Sequence, residues 1–431
     1  MTFNIANTYY LMVKKRNNIN ALLFKITNLA LRGVSILSRF GLLLFMSKYL
    51  TTNQLGDFSL FNTSIMISYM ILGWDFYMYS SRKLIGTKNR VKVKYITNQL
   101  YFYLGFYILI LPILVFAIYY FGLPFSNAKY FLVILILEHL GQELFRLLIA
   151  LKKPFLANVS FFIRSSIWVI IMLLLHYTNI VIISRLELIY QYWVVGSSIN
   201  VIIFAYYIVF SLKLVRLKKP NIKWIKEGFI IASYFFASTM AFKIVEFSNR
   251  YILDWKTTKS EVGIYSLFSQ IASLINVFVF TFTIMYLYPK LIEAYKSNNM
   301  IAFDLIKKDM FKQIMLITGL LSLIIIITID PVLLIIDKPE ISQNKSILYI
   351  LLAANFLLSL SFIPNYHLFA FGKDKLILIS SVSSAIFVLV FGILLISYYG
   401  ILGAAISLLS GYLVLFLSKL YYTTNLRLDE K

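Results

Sequence analysis

Long apolar runs alternate with short polar connectors along almost the whole chain. About 20 mainly apolar residues suffice for a helix to cross a bilayer. Twelve such runs are predicted, at about 24–46, 58–80, 98–121, 129–151, 157–178, 187–211, 228–250, 263–288, 313–336, 346–371, 376–398 and 401–421. The pattern predicts an all-α integral membrane protein. No connector is long and polar enough to fold as a soluble domain.

Charge then sets orientation. With the N-terminus cytoplasmic, inside connectors and ends carry 27 basic residues, among them Lys14, Lys15, Arg16, Lys152, Lys153, Lys218 and Lys219. Outside connectors carry only 8, from Lys48 to Lys345. A miscounted span would scramble this alternation. The expectation is therefore a multi-pass protein of a bacterial inner membrane with both termini cytoplasmic. The first apolar run has no small-residue cleavage site and is read as a retained span.

Composition removes several function classes. Of 431 residues, 60% are hydrophobic and 14% charged, which fits a polytopic membrane protein. The net charge of +23 is dispersed over short connectors, so it speaks for membrane orientation and not for nucleic acid. Cysteine is absent and the three histidines, His139, His176 and His367, are scattered, so no metal or other cofactor is expected. There is no phosphate-binding glycine loop and no convincing nucleophile–base arrangement, and the chain is read as not an enzyme. Pro112, Pro331 and Pro364 interrupt spans and could kink them.

The chain also repeats itself. Thr51-Thr52 through Gly56-Asp57-Phe58-Ser59-Leu60-Phe61 recurs as Thr257-Thr258 through Gly263-Ile264-Tyr265-Ser266-Leu267-Phe268, with one inserted residue. Gly56 and Gly263 are 207 positions apart, about half the chain, with six spans in each half. An even number of spans per half gives both copies the same orientation, which implies parallel repeats. The division expected is an N-terminal six-helix bundle over 1–211, a cytoplasmic linker over 212–227 and a C-terminal six-helix bundle over 228–431.

The order of these motifs, with Leu72-Gly73-Trp74-Asp75 and Ser81-Arg82 closing span two, and with Pro364-Asn365 and Gly372-Lys373 after span ten, resembles a known family. It is similar to the polysaccharide-biosynthesis flippases. These are O-antigen (Wzx-type) translocases of the multidrug/oligosaccharidyl-lipid/polysaccharide exporter superfamily. The resemblance covers the whole chain in length, span count and repeat. It implies a MATE-like fold of two bundles around a central cavity. It further implies movement of undecaprenyl-pyrophosphate-linked O-antigen or capsule units from the cytoplasmic to the periplasmic leaflet, with the glycan lipid, membrane lipids and other polysaccharide assembly proteins as partners. The glycan itself does not carry over.

Basic residues inside the apolar runs bear on cargo. A charge at mid-bilayer costs roughly 2.5–3.5 kcal/mol even on the lenient insertion scale, so such residues pair, face water or meet a ligand. Arg32 and Arg39 are seven apart and share a stripe of span one, which has no acid. Span four carries Glu138, His139, Glu143 and Arg146, span five carries Arg164, and span seven carries Lys243, Glu246 and Arg250. Internal pairing is expected for Glu143 with Arg146 and for Glu246 with Arg250, the latter near the outer interface. Arg39 and Lys243 are expected to line the cavity and hold pyrophosphate or acidic sugars, with Arg32, Arg164 and Arg146 as secondary candidates. Glu138, Glu143 and Glu246 are either charge balance for these cations or carboxylates for proton or sodium coupling. The rival readings are a cation-coupled multidrug exporter of the same fold, for which span one lacks the acids, and a membrane glycan polymerase or acyltransferase, for which the large outside loop or a placed histidine is missing.

Overall fold

The computed structural model describes residues 27–28, 30–84, 87–121, 128–212 and 219–429. The basic cluster at 14–16, Lys25 and the linker core at 213–218 lie outside the described residues. All regular structure among the described residues is helical. In chain order the helices are α1 (Ala30–Tyr49), α2 (Thr52–Gly73), α3 (Phe76–Leu84), α4 (Asn89–Phe121), α5 (Ala128–Ala150), α6 (Pro154–Phe162), α7 (Trp168–Tyr177), α8 (Leu186–Ser211), α9 (Ile222–Lys256), α10 (Lys259–Val279), α11 (Met285–Lys296), α12 (Met300–Ile336), α13 (Pro339–Ser342), α14 (Ser346–Ala370) and α15 (Asp374–Asp429). Widened π-helical turns join α6 to α7 at Ile163–Ile167 and α10 to α11 at Phe280–Ile284. Each of these chained pairs is therefore one continuous rod.

Among the described residues ten helices are long and apolar enough to cross a membrane. The difference from twelve has two physical causes. α5 is 23 residues long and carries Lys129, Glu138, Glu143 and Arg146, so its composition is too polar for an apolar-span criterion. α15 is a helical hairpin broken at Gly400 (φ 52°, ψ −131°), and it holds two of the predicted spans. Its arms pack through small residues: the Ser384 hydroxyl donates to the Gly411 carbonyl at 2.7 Å, and a Cβ on Gly403 would collide with the Leu395 carbonyl. Pro112, Pro331 and Pro364 sit inside α4, α12 and α14 without ending them.

The chain forms two compact units. One comprises residues up to Leu43, Asp75–Val115 and Asn127–Ile230; the other comprises Leu44–Trp74, Phe116–Ser126 and Ile231–Lys431. This grouping does not follow chain order, because α2 belongs with the C-terminal residues. The first unit packs α5 against α8 and α6. At its edge Trp224, at the start of α9, stacks on Tyr95 at 5.4 Å and meets Phe76 and Tyr79 edge-on or tilted.

In the second unit α2 crosses α10, and the repeated motif explains why. Thr51 caps α2: its hydroxyl accepts from the Gln54 N–H at 3.2 Å, and the Gln54 side chain accepts from the Thr51 N–H at 2.9 Å. Thr258 caps α10 in the same way, accepting from the Glu261 N–H at 3.3 Å. Thr51 and Thr258 are themselves 207 apart, so the inserted residue drops out and the two copies align without a gap from the cap onward. The contact is self-complementary. A Cβ on Gly56 would collide with the Lys259 carbonyl, and one on Gly263 would collide with the Thr52 carbonyl and sit 2.9 Å from the Gly56 nitrogen. Lys259 is the repeat equivalent of Thr52, so each copy meets the other at the same place, as across a two-fold axis. Ser59 and its equivalent Ser266 bond to each other at 2.5 Å in the middle of this crossing. Only glycine lets the backbones come this close.

Around the crossing, Ser260 donates to Thr52 at 2.8 Å and Lys259 reaches Asp57 at 2.6 Å. The Lys338 amine caps the Leu50 carbonyl, and burial pulls that amine below the ordinary lysine range. α2 ends on two successive left-handed residues, Trp74 (φ 47°) and Asp75 (φ 48°). The Trp74 ring is fixed there by stacking on Phe236 at 3.9 Å and by its Nε1–H bond to Ser233 at 2.8 Å.

Candidate functional site

α5 carries the densest polar stripe of the first unit. Glu138 accepts from Trp193 Nε1 at 2.9 Å and from the Ser197 hydroxyl at 2.8 Å, both on α8. Its second oxygen lies 3.7 Å from Arg164 Nε. Arg164 is only 5% exposed. It donates to Gln142 Oε1 at 2.7 Å and to the Glu138 carbonyl at 3.3 Å. It sits in the π turn at 163–167, whose extra residue per turn frees backbone carbonyls; Trp168 Nε1 donates back to the Arg164 carbonyl at 3.0 Å. One turn along α5, Glu143 is 8% exposed and receives Gln99 at 3.0 Å, the Tyr103 hydroxyl, and Arg146 at 2.6 Å. Arg146 also stacks over the Tyr77 ring at 3.6 Å. His139, fully buried, meets the Tyr107 hydroxyl through Nδ1 at 2.6 Å.

The two arginines of α1 have different surroundings. Arg32 donates through Nε to the Asn158 amide oxygen at 3.1 Å, and Asn158 in turn donates to Asn28. Arg39 has an exposed side chain whose guanidinium lies 5.0 Å from the Phe161 ring centre. Thus Arg32, Arg39, Arg146 and Arg164 all belong to the first unit, where the last two are ion-paired and Arg32 meets an amide.

α9 carries the corresponding stripe in the second unit. Lys243 pairs with Glu246 at 2.6 Å, with both side chains partly exposed. Glu246 therefore takes Lys243 as its partner, where the sequence suggested Arg250; an i, i+3 reach wins over i, i+4. Arg250 does not snorkel to a surface. It is 7% exposed, donates Nη1 to Thr63 of α2 at 3.1 Å and lies 5.0 Å from the Phe247 ring. Its Nε has no hydrogen-bond partner, and no carboxylate lies within ion-pair distance of it among the described residues. Beside it, Tyr251 and Ser64 share a hydroxyl bond at 2.7 Å.

Sequence reasoning missed the neutral side chains that receive these charges: Gln99, Tyr103, Gln142, Trp193 and Ser197 in one unit, Thr63 in the other. Their role depends on tertiary neighbours, and no local spacing announces it. Among the described residues no group of three or more His, Asp or Glu is placed to hold a metal ion.

No protein-family model matches the chain, and no curated protein matches it in sequence. Solved structures do. An inward-facing multidrug resistance MATE family transporter of the MOP superfamily superimposes with a TM-score of 0.75 at 13% identity, covering 92% of this chain and 95% of that one. The lipid II flippase MurJ, in an inward closed conformation, gives 0.67 at 14% identity, covering 94% and 87%. An outward-facing MATE transporter gives 0.64 at 14% identity over 93% of both chains. At these identities the likeness speaks for architecture, and the chain has the MATE-like membrane fold shared by transporters of the MOP superfamily.

Proposed function

We propose that the protein is a flippase that moves undecaprenyl-pyrophosphate-linked oligosaccharide units, of O-antigen or capsule type, from the cytoplasmic to the periplasmic leaflet of a bacterial inner membrane. The observation that carries this reading is α1: two arginines one heptad apart, no acid on the helix, and the Arg39 side chain exposed over an aromatic ring. Guanidinium groups offer planar paired donors that match phosphate oxygens, and a pyrophosphate head group needs such compensation in an apolar setting. The likeness to a lipid II flippase supports a lipid-linked cargo. The polyprenyl tail stays in lipid while alternating access of two bundles about a cavity carries the head group. Both termini are cytoplasmic in this reading. Arg32 sits next along the Arg39 stripe, with Arg146, Arg164 and Lys243 as further cations. Coupling through Glu138, Glu143 or Glu246 to protons or sodium belongs to the same reading.

The second reading is a cation-coupled multidrug exporter, which the likeness to MATE transporters favours. Against it, each of these three glutamates already receives a basic side chain. A cationic drug would have to displace Arg164, Arg146 or Lys243.

The test is translocation of a labelled polyprenyl-pyrophosphate oligosaccharide in proteoliposomes, with Arg39→Ala and Arg39→Lys alongside. The alanine variant is expected to lose roughly ten-fold or more, since a hydrogen bond to a charged group is worth about 1.5–3 kcal/mol. The lysine variant keeps charge without paired donors and should fall between. Full activity of Arg39→Ala, or transport of organic cations with no glycan movement, would sink this reading.

A further inference from the structure

Arg250 has the least satisfied buried charge described above. It is 93% buried by its 7% exposure, holds one neutral hydroxyl and leaves Nε without a partner. Two other cations within the apolar runs have carboxylates, Arg164 with Glu138 and Arg146 with Glu143, whereas buried Lys419 has no ion pair among the described residues. A buried guanidinium with one threonine hydroxyl as acceptor, beside the Phe247 ring, is poorly compensated for the water it has lost. One wall around it is α2, the helix that supplies Thr63 and is held to α10 by the glycine crossing and the Ser59–Ser266 bond.

We propose that Arg250 is a concealed phosphate site, closed by α2 and opened when the α2–α10 crossing parts. While the crossing is intact the guanidinium is inaccessible, so a phosphate or pyrophosphate group binds the parted arrangement alone. A ligand shifts an equilibrium only by its differential affinity for the two states, and here that preference is built in by burial. The anion replaces Thr63 with two parallel charge-assisted hydrogen bonds and uses the idle Nε. Anionic head groups thereby hold open the contact that the repeat closes. This inference rests on the flippase reading for its physiological ligand, though not for its chemistry.

The experiment uses the absence of cysteine from the chain. In a Ser59→Cys/Ser266→Cys protein the two thiols replace hydroxyls 2.5 Å apart, within disulfide reach. The rate of oxidation in nanodiscs is read as the loss of thiols open to maleimide-polyethylene glycol, with inorganic pyrophosphate as probe and chloride of matched ionic strength as control. Pyrophosphate is expected to slow cross-linking by about five-fold or more, the low end of ordinary coupling between sites. Arg250→Gln should abolish the ratio between probe and control, and Thr63→Val, which removes the competing hydroxyl, should enlarge it. Equal rates with pyrophosphate and chloride would overturn the proposal, as would the same slowing in Arg250→Gln or no cross-link at all. Slowing by phosphatidylglycerol discs as strong as that by pyrophosphate would assign the site to bulk lipid and overturn its link to cargo. A pyrophosphate effect without glycan transport keeps the site and removes the flippase reading; glycan transport without a pyrophosphate effect does the reverse.

Discussion

α5 and α9 both carry charge through an apolar environment, and they compensate it differently. On α5 the two glutamates are saturated: Glu138 by an indole, a hydroxyl and Arg164, Glu143 by an amide, a phenol and Arg146. On α9 only the first half is balanced, by the Lys243–Glu246 pair, and one turn later Arg250 meets a neutral hydroxyl on another helix. A charge closed by an acid is scaffold, because its removal leaves an opposite charge stranded. A charge closed by a hydroxyl leaves nothing stranded when it goes, and its burial depends on whether the covering helix stays in place.

This contrast can be broken by substitution, and the largest effect is expected on α5. Glu143→Ala strands Arg146 and should cost about 3–5 kcal/mol, seen as loss of folded protein or a large fall in melting temperature in detergent. The double variant Glu143→Ala/Arg146→Met should recover most of that loss. Next comes the crossing: Gly263→Ala forces a methyl into the Thr52 carbonyl and should cost about 1–3 kcal/mol by the same melting measurement. Thr51→Ala removes the cap of α2 and should cost about 1 kcal/mol. Arg250→Met sharpens the comparison most, although its effect is smallest. It should leave the melting temperature unchanged or raise it, because no acid is stranded. A fall as large as that of Glu143→Ala would mean that Arg250 is structural.

Legibility in the sequence followed the range of the interaction. Span positions depend on local apolar length, and that was enough to place α5 despite its four charged residues. The repeat was readable because Gly56 and Gly263 need no Cβ and Thr51 and Thr258 are local caps. The Glu143–Arg146 pair was readable at i, i+3 on one helix. Glu138 with Arg164 was not, since 26 residues and a helix turn separate them. Glu246 had two basic neighbours in reach and took the nearer one. Arg250, near the end of its apolar run, resembled an interfacial residue; its burial and its bond to Thr63 of α2 depend on tertiary neighbours that no local spacing announces.

The single-residue joint at Gly400 bears on biogenesis. A connector that short leaves no loop for the translocon to hold back or export by itself, so the two arms of α15 must enter the bilayer as one hairpin. Their orientation is then decided at the far ends, by Lys373 and Lys375 before the first arm and by the basic residues after the second. A ribosome that stalls soon after Gly400 leaves Ser384 without the Gly411 carbonyl it is built to meet.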